Sequence, residues 1–483
     1  MKKFICLLLL LSFCLSATAC GAKNLTVFND DLTTSKTERV MQTNEVSLIT
    51  SSESPVVKPF YVADFAPDGD PDVDVIKTYN GYMGRFPDVK RLEDGSLVTV
   101  SYWNSVKYHV PFNFGETLGG IVLTYGTADA STWSAPALIV TSERLASWGY
   151  GIWRDKDNNI YYNEEEAAEH NAVLDIESRD PNLTILPDQT LVLTFFTCCP
   201  DTAEVNGKPL KQNDLGDYTS ARTYIMYSKD DGQTWTVPVQ IPCEFLDLLC
   251  AKRGEIAVYD DGKMLIPLYG RNAEIYNGGN GNPDSTTASV YAEILDNGEW
   301  NFIAEYNTHT YNPVVGQPDT APQKGAFTHG HTEISYVVTN LNDGTEVTYA
   351  ITRPRAEFLI SYDRGQSWNL LGTNVESGDS HMLSENMQQP SAVRIDGSNA
   401  IFFSWSQHTN ANVTGGRRSV YGKLYCPGES WDKTESVLLY KNSNGEDMGD
   451  PTSIQLSNGK IFTVFYDVNI RTIGGVYNTL QEV

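Results

Sequence analysis

The stretch SYDRGQSW, Ser361–Trp368, packs two serines, an aspartate, a glycine and a tryptophan into eight positions. Such a run suits a metal loop, a catalytic turn or a marker of the fold. A calcium loop of the EF-hand kind needs a longer ladder of oxygen ligands than this stretch carries. A second copy, SKDDGQTW at Ser228–Trp235, repeats S-x-D-x-G-x-[ST]-W in otherwise different surroundings. Weaker echoes end at Trp133 (GTADASTW), Trp300 (LDNGEW) and Trp431 (CPGESW). Recurrence makes the motif architectural: its Asp and Gly build a turn between the third and fourth strands of a repeat, and its Trp packs between neighbouring repeats.

A second repeat alternates with the first. An apolar residue leads into Asp-Gly or Asn-Gly and then into an apolar run, with the turn residue at Gly95, Gln189, Gly262, Gly344, Gly397 and Gly459. Short runs rich in Val, Ile, Tyr and Phe around such turns read as hairpins. Six hairpins at intervals of 53 to 94 residues, interleaved with five tryptophan blocks, indicate a radial array. The expected fold is therefore all-β, a six-bladed β-propeller over residues 56–483, with a strand near VVKPFYVADF closing the ring. A pair of β-sandwiches is the competing layout. Helical periodicity is confined to the stretch Tyr161 to Ile176.

The first twenty residues join Lys2 and Lys3 to an apolar run and end in ATAC, the layout of a secretory leader. Cleavage after Ala19 is one reading. Lipidation of Cys20 as the first mature residue is favoured, because Gly21 and a polar tether, residues 21–55, follow directly. The expected location is extracytoplasmic, secreted or anchored to the envelope by lipid alone. Loss of the leader takes the formal charge from −26 to −28. So acidic a chain repels phosphate backbones, which argues against a nucleic-acid partner. A monomer is expected. Five cysteines lie beyond Cys20, an odd number with neither a disulfide framework nor a zinc pattern. Cys243 and Cys250 either bridge in an oxidising compartment or remain free thiols.

The tryptophan blocks resemble the Asp boxes, or BNR repeats, of the sialidase (neuraminidase) superfamily, and the resemblance spans residues 55 to 480. Asp boxes also occur in propellers with other substrates or with none, so function rests on the site. The superfamily opens its first blade with Arg-Ile-Pro ten residues before the turn glycine. Here Arg85, Phe86 and Pro87 stand at that spacing, and the resemblance makes Arg85 the first of three arginines that clamp a substrate carboxylate. The resemblance places the second at Arg353, opposite Glu333 on a lengthened hairpin, and the third at Arg417 or the adjacent Arg418. Arg179 holds in repeat two the place of Arg85, and Arg253 a near-equivalent place in repeat three. Each of these arginines, taken singly, also reads as the solvated partner of a carboxylate.

The family's nucleophilic tyrosine stands nine residues before the last turn glycine, and here that position is Asp450. An aspartate repels an anionic sugar where a neutral phenol does not. Asp450 suits a carboxylate-pair mechanism with Glu333 on another acidic glycan, or a plain ion pair; Tyr421, Tyr466 and Tyr477 are candidate replacement phenols. For the family's proton donor the resemblance offers Glu116, with Asp88 and Asp180 as alternates. His329 and His331 point the same way on a strand beside Glu333 but lack a further metal ligand, so sugar hydroxyls are their expected partners. Neither a metal nor another cofactor is expected. The chain is thus expected to be a glycoside hydrolase acting on a terminal acidic sugar in the manner of an exo-α-sialidase. One alternative is a propeller glycosidase that uses Glu333 with Asp450 or Glu116 as a carboxylate pair on another acidic glycan; the other is a non-catalytic glycan-binding lipoprotein.

Overall fold

The computed structural model describes residues 83–104, 119–134, 136–157, 159–199, 220–247, 249–271, 285–306, 332–353, 357–372, 387–408, 418–441, 448–467 and 472–482, with short strands at 25–29, 47–49, 204–205 and 208–209. The chain is all-β. Sheet I joins Met83–Arg91, Leu97–Asn104, Gly119–Gly126 and Ala137–Thr141, each antiparallel to the last. Sheet II joins Glu177–Ile185, Leu191–Cys199, Ser220–Ser228 and Val239–Gln240. Sheet III joins Leu249–Ala251 and Ala257–Val258, both on Met264–Arg271, to Ser285–Ile294 and Trp300–Tyr306. Sheet IV runs through Thr332–Asn340, Glu346–Arg353, Phe358–Ser361 and Asn369–Gly372. Sheet V runs through Met387–Arg394, Ile401–His408, Arg418–Tyr425 and Val437–Lys441.

Sheet VI joins Met448–Gln455, Lys460–Asp467 and Thr472–Glu482, and its next strand is Leu25–Asn29, with Ser47–Ile49 parallel beyond it. This corrects part of the tether expectation, because two pieces of residues 21–55 complete a sheet edge whose backbone groups would otherwise go unpaired. The strand expected near VVKPFYVADF, the leader and Cys20 lie outside the described residues. The helical stretch expected after Tyr161 is a short helix, Glu164–Glu169, whose first turn is capped by the Asn163 side chain.

The six turn residues share one geometry. In each the turn residue holds a positive φ, from 68° at Gly397 to 89° at Gly344. At five of the six its N–H bonds a carbonyl three residues earlier, as Gly95 does to Leu92 at 3.0 Å. Gln189 adopts φ 69° in the same role without glycine's freedom.

The quoted motif is a closed hydrogen-bond unit. Ser361 Oγ donates to Asp363 Oδ1 at 2.8 Å and accepts from Gly365 N at 2.8 Å, while Ser367 N and Oγ donate to the Asp363 carboxylate. Ser228, Asp230, Gly232 and Thr234 repeat this bond for bond. The turn is pinned from outside by the sheet before it. Tyr125 of sheet I donates to Asp231 O, Tyr227 of sheet II to Gly298 O, and Tyr477 of sheet VI to Asp129 O. Tyr291 of sheet III takes a bond from Arg364 instead. Gly365 has no room for a side chain, since a Cβ would fall 2.3 Å from Leu265 of sheet III.

Trp368 is buried and stacks on Tyr336 with ring centroids 5.2 Å apart, in a cluster shared with Leu265 and Tyr259 of sheet III. We expect Trp368→Ala to cost about 3–5 kcal/mol through the cavity it leaves. Chemical denaturation should show this as a lower midpoint. An unchanged midpoint would remove the tryptophan from the scaffold.

Candidate functional site

The first strands of the sheets share a local defect that builds the site. In sheets I, II, IV, V and VI the register slips by a bulge after Arg85, Arg179, Thr332, Gln388 and Gly449. The next residue then takes a left-handed backbone: Phe86 at φ 52°, Asp180 at 46°, Glu333 at 49°, Gln389 at 50° and Asp450 at 50°. Sheet III supplies the sixth member with Gly254 at φ 106°. Bulges re-aim side chains. Here they present Asp180, Glu333 and Asp450 from alternate sheets, each acting on the ionisation of Asp180 or being acted on by it.

Four arginines surround these carboxyls. Arg253 Nε donates to Asp450 Oδ1 at 2.9 Å, its Nη1 to Pro181 O, and its Nη2 to Pro87 O and Asp450 O. Arg353 Nη1 pairs with Glu333 Oε1 at 2.5 Å and its Nε bonds Gln388 Oε1. Arg179 bonds Glu177 Oε2 through Nε and Nη2 and lies over the Tyr102 ring. Arg85 feels Tyr466, Arg179, Glu177 and Asp450. Arg85 and Arg179 are 1% exposed, whereas the Arg353 side chain is 28% exposed.

Two of the carboxyls, Asp180 and Asp450, are shifted to different extents. Burial, then the neighbouring Asp450 and Glu333 charges, push Asp180 up to about 8, against the pull of Arg253 and Arg179. Burial also raises Asp450, but Arg253 and Arg353 restrain the rise. Among the described residues, Asp180 Oδ1, Glu333 Oε2 and Asp450 Oδ2 are buried without a hydrogen-bond partner. The site thus sets an Asp180 pushed strongly toward its neutral form beside an Asp450 that Arg253 holds nearer its ionised form, with Glu333 paired to Arg353. Environments that drive titratable neighbours apart assign acid and base roles.

Of the residues singled out in the sequence, Arg85, Arg179, Arg353, Glu333 and Asp450 converge here. Glu116, Arg417, His329 and His331 lie outside the described residues, and of Arg418 only the strand backbone is described. Among the candidate phenols, Tyr477 serves a motif turn and Tyr421 stacks on Trp405 in the sheet core, both away from the site. Tyr466 packs on Phe86 and faces Arg85.

Sequence reasoning missed Tyr269 of sheet III, half-buried beside the site, whose pKa is raised by burial and then by Asp180 and Glu333. Its signal is positional: Tyr102, Phe196, Tyr269 and Tyr466 each stand seven residues past their turn residue. Arg353 fills the equivalent place on the longer hairpin, cross-strand from Thr332 as Tyr102 is from Arg85. Among the described residues, no group of three or more His, Cys, Asp or Glu could hold a metal ion.

No family model matches the chain, and no curated protein matches it in sequence. Solved structures do match in fold. A protein of unknown function from Dyadobacter fermentans aligns with a TM-score of 0.50 and 14% identity, over 83% of this chain and 96% of its own. The Hadza microbial sialidase Hz136 aligns with a TM-score of 0.50 and 13% identity, over 82% of this chain and 65% of its own. An intramolecular trans-sialidase from Ruminococcus gnavus aligns at 0.46 and 12%, over 82% and 94%. The chain has a sialidase-like fold and spans about two thirds of the Hadza enzyme's length.

The raised Asp180 carries a stability signature. Its folded pKa lies above the unfolded value near 3.8, so the unfolded state gives up its proton first and folding is progressively penalised as pH rises from about 4 to about 8. Asp180→Asn removes that penalty. We expect the melting temperature of the variant to gain on wild type across this window and to level off above it. A pH-independent difference would show that Asp180 ionises normally in the fold.

Proposed function

We propose that the six sheets form a closed six-bladed propeller whose bulged first strands hold the reaction centre of a glycoside hydrolase, acting on a terminal acidic sugar. The feature that carries this reading is Asp180, which burial pushes up to about 8, beside the Arg253–Asp450 and Arg353–Glu333 pairs. Glycoside hydrolysis needs one carboxyl to protonate the leaving oxygen and one carboxylate to attack or to activate water. Asp180 is the proton donor. Asp450 is the carboxylate partner, since Arg253 fixes Oδ1 while Oδ2 is buried without a hydrogen-bond partner in the protein. Glu333 positions Arg353 and balances its charge.

The choice of an acidic sugar rests on charge. Arg85, Arg179, Arg253 and Arg353 gather around Glu177, Glu333, Asp450 and an Asp180 that burial pushes up to about 8, a guanidinium-rich cluster in a chain of formal charge −26. Arg253 also answers the repulsion expected between an aspartate and an anionic substrate, because it neutralises Asp450 in place. Arg353 is the exposed fork for the sugar's carboxylate, with Arg85 and Arg179 behind it. The sequence of the leader and Cys20 supports a protein outside the cytoplasm, anchored by lipid or secreted, with glycans as its partners.

Release of reducing ends from sialosides and from other acidic glycans tests the reading directly. On a confirmed substrate, Asp180→Asn and Asp450→Asn should each cost a factor of about 10² or more in turnover. Full activity in both would place the chemistry elsewhere. Binding without turnover on every glycan would instead favour a glycan-binding lipoprotein. Arg353→Lys keeps the charge but loses the fork, so affinity for the acidic sugar should fall by about 1–3 kcal/mol in calorimetry. Equal binding of the sugar and its methyl ester would rule out carboxylate recognition.

A further inference from the structure

The segment that delivers Arg253 to the site contains a feature unrelated to sugar chemistry. Sheet II ends at Val239–Gln240 and sheet III begins at Leu249–Ala251, and the connection carries Cys243 and Cys250. Both are free thiols in this structure, Cys250 buried and Cys243 half-buried. They belong to one apolar cluster with Ile241, Leu246 and Ile256, and the two thiols lie against each other.

Each cysteine is held from a different sheet. The Glu305 carboxylate of sheet III accepts the Cys243 thiol at 3.3 Å and the Glu244 and Phe245 amides at 2.8 Å each. Thr223 of sheet II accepts the Cys250 thiol at 3.8 Å and donates to the Cys250 carbonyl at 3.0 Å. The loop is therefore folded back on itself before any covalent bond forms. Two residues past Cys250 begins the pair Lys252–Arg253, whose side chains tie sheet III to Asn182, Pro181, Pro87 and Asp450.

We propose that Cys243 and Cys250 form an intramolecular disulfide that staples this loop and fixes the strand from which Arg253 reaches Asp450. The oxidant is a small disulfide or a thiol–disulfide carrier, RSSR. The Cys243 thiolate attacks it and expels RS⁻. The Cys250 thiolate then attacks the Cys243 sulfur, forms the Cys243–Cys250 bond and expels the second RS⁻. The two thiol protons pass to the two leaving thiolates, so two cysteines and RSSR give one cystine and two RSH. Contact with Cys243, then Thr223 and Arg222, draws the Cys250 thiol down against the effect of burial, which favours it as the closing nucleophile. Half-exposed Cys243 is the one a small oxidant reaches first, but contact with Cys250, then burial, raise its thiol, so its attack on RSSR is the slow step. The bridge restrains the unfolded chain and so favours the folded one.

The full chain should be incubated with oxidised glutathione or with dithiothreitol, denatured, alkylated and mapped by mass spectrometry. After oxidation we expect a linked peptide containing Cys243 and Cys250, protected from alkylation, while Cys198 and Cys426 alkylate after denaturation. Hydrogen exchange over residues 249–253 should slow and the melting temperature should rise relative to the reduced form. Cys243→Ser and Cys250→Ser, each folded in its own right, should abolish these responses to oxidant. Complete alkylation of both cysteines after oxidation, or linkage of either to another cysteine, would overturn the proposal. So would an oxidised form whose exchange over residues 249–253 matches that of the reduced form, since the bridge would then not act on the Arg253 strand.

Discussion

The site is organised around the Arg253 guanidinium. It is 3% exposed, and a cation so placed must be paired or pay heavily for lost hydration. Its partners come from three other sheets: the Pro87 carbonyl of sheet I, the Pro181 carbonyl of sheet II, and the Asp450 carboxylate and carbonyl of sheet VI. One side chain therefore sets the spacing of four first strands. Beneath it a second buried network continues the job. Lys90 bridges Asp88 and Glu255, Asp88 takes the Asn182 amide and the Leu183 N–H, and Lys252 bonds Asn182 and the Gly254 carbonyl. Ser335 closes sheets III, IV and V by accepting from Glu255 N and donating to Pro390 O. Thr452 reaches the Pro87 carbonyl from sheet VI.

That arrangement explains why strained backbone is tolerated where the chemistry is proposed. Left-handed φ at Phe86, Asp180, Glu333, Gln389 and Asp450 costs on the order of 1 kcal/mol or more for each, and such strain persists only where the surroundings over-determine it. Proline follows four of the five, at Pro87, Pro181, Pro390 and Pro451, which fixes the exit of the bulge and removes an N–H that the broken ladder would leave unpaired. Sheet III uses glycine instead, because a Cβ on Gly254 would fall 2.0 Å from the Ile334 carbonyl oxygen of sheet IV. Sheets III and IV meet by backbone approach at the point where the others meet through side chains.

The hierarchy of what is legible in the sequence follows from range. Turn residues and the Ser-Asp-Gly-Ser-Trp unit act within a few positions of each other, so their roles show in the string, and counting from the turn residue located Arg85, Arg179 and Asp450 on equivalent strands. The Glu333 and Arg353 pairing was also accessible, because an even lengthening of both hairpin arms preserves which face each side chain takes. Tyr269 was countable by the same rule but is aromatic among aromatics, and only its proximity to Asp180 and Glu333 distinguishes it. Asp180 was visible as a residue beside an arginine. That it keeps its proton depends on charges contributed by sheets IV and VI, more than a hundred residues away in the chain. Likewise Arg253 looks like another rim arginine until its four acceptors are seen to be the backbone and carboxylate of other sheets.

The acid chain and the proposed acidic ligand are reconciled by the different distances over which charge acts. Surface carboxylates dominate the field outside the protein, but at physiological ionic strength they are screened over about 8 Å. The buried groups are screened far less. A sugar carboxylate that came within contact of Arg353 would meet several guanidinium groups, with Asp450 and Glu333 held by Arg253 and Arg353 and Asp180 pushed toward its neutral form. In the proposed reaction a protonated Asp180 would serve two ends at once: it would supply the proton that a leaving oxygen needs, and it would spare the site a negative charge beside Asp450 and Glu333. An ionised Asp180 would place its charge against Asp450 and Glu333. The desolvation that raises its pKa is thus the same physical cause that would let an anionic sugar approach.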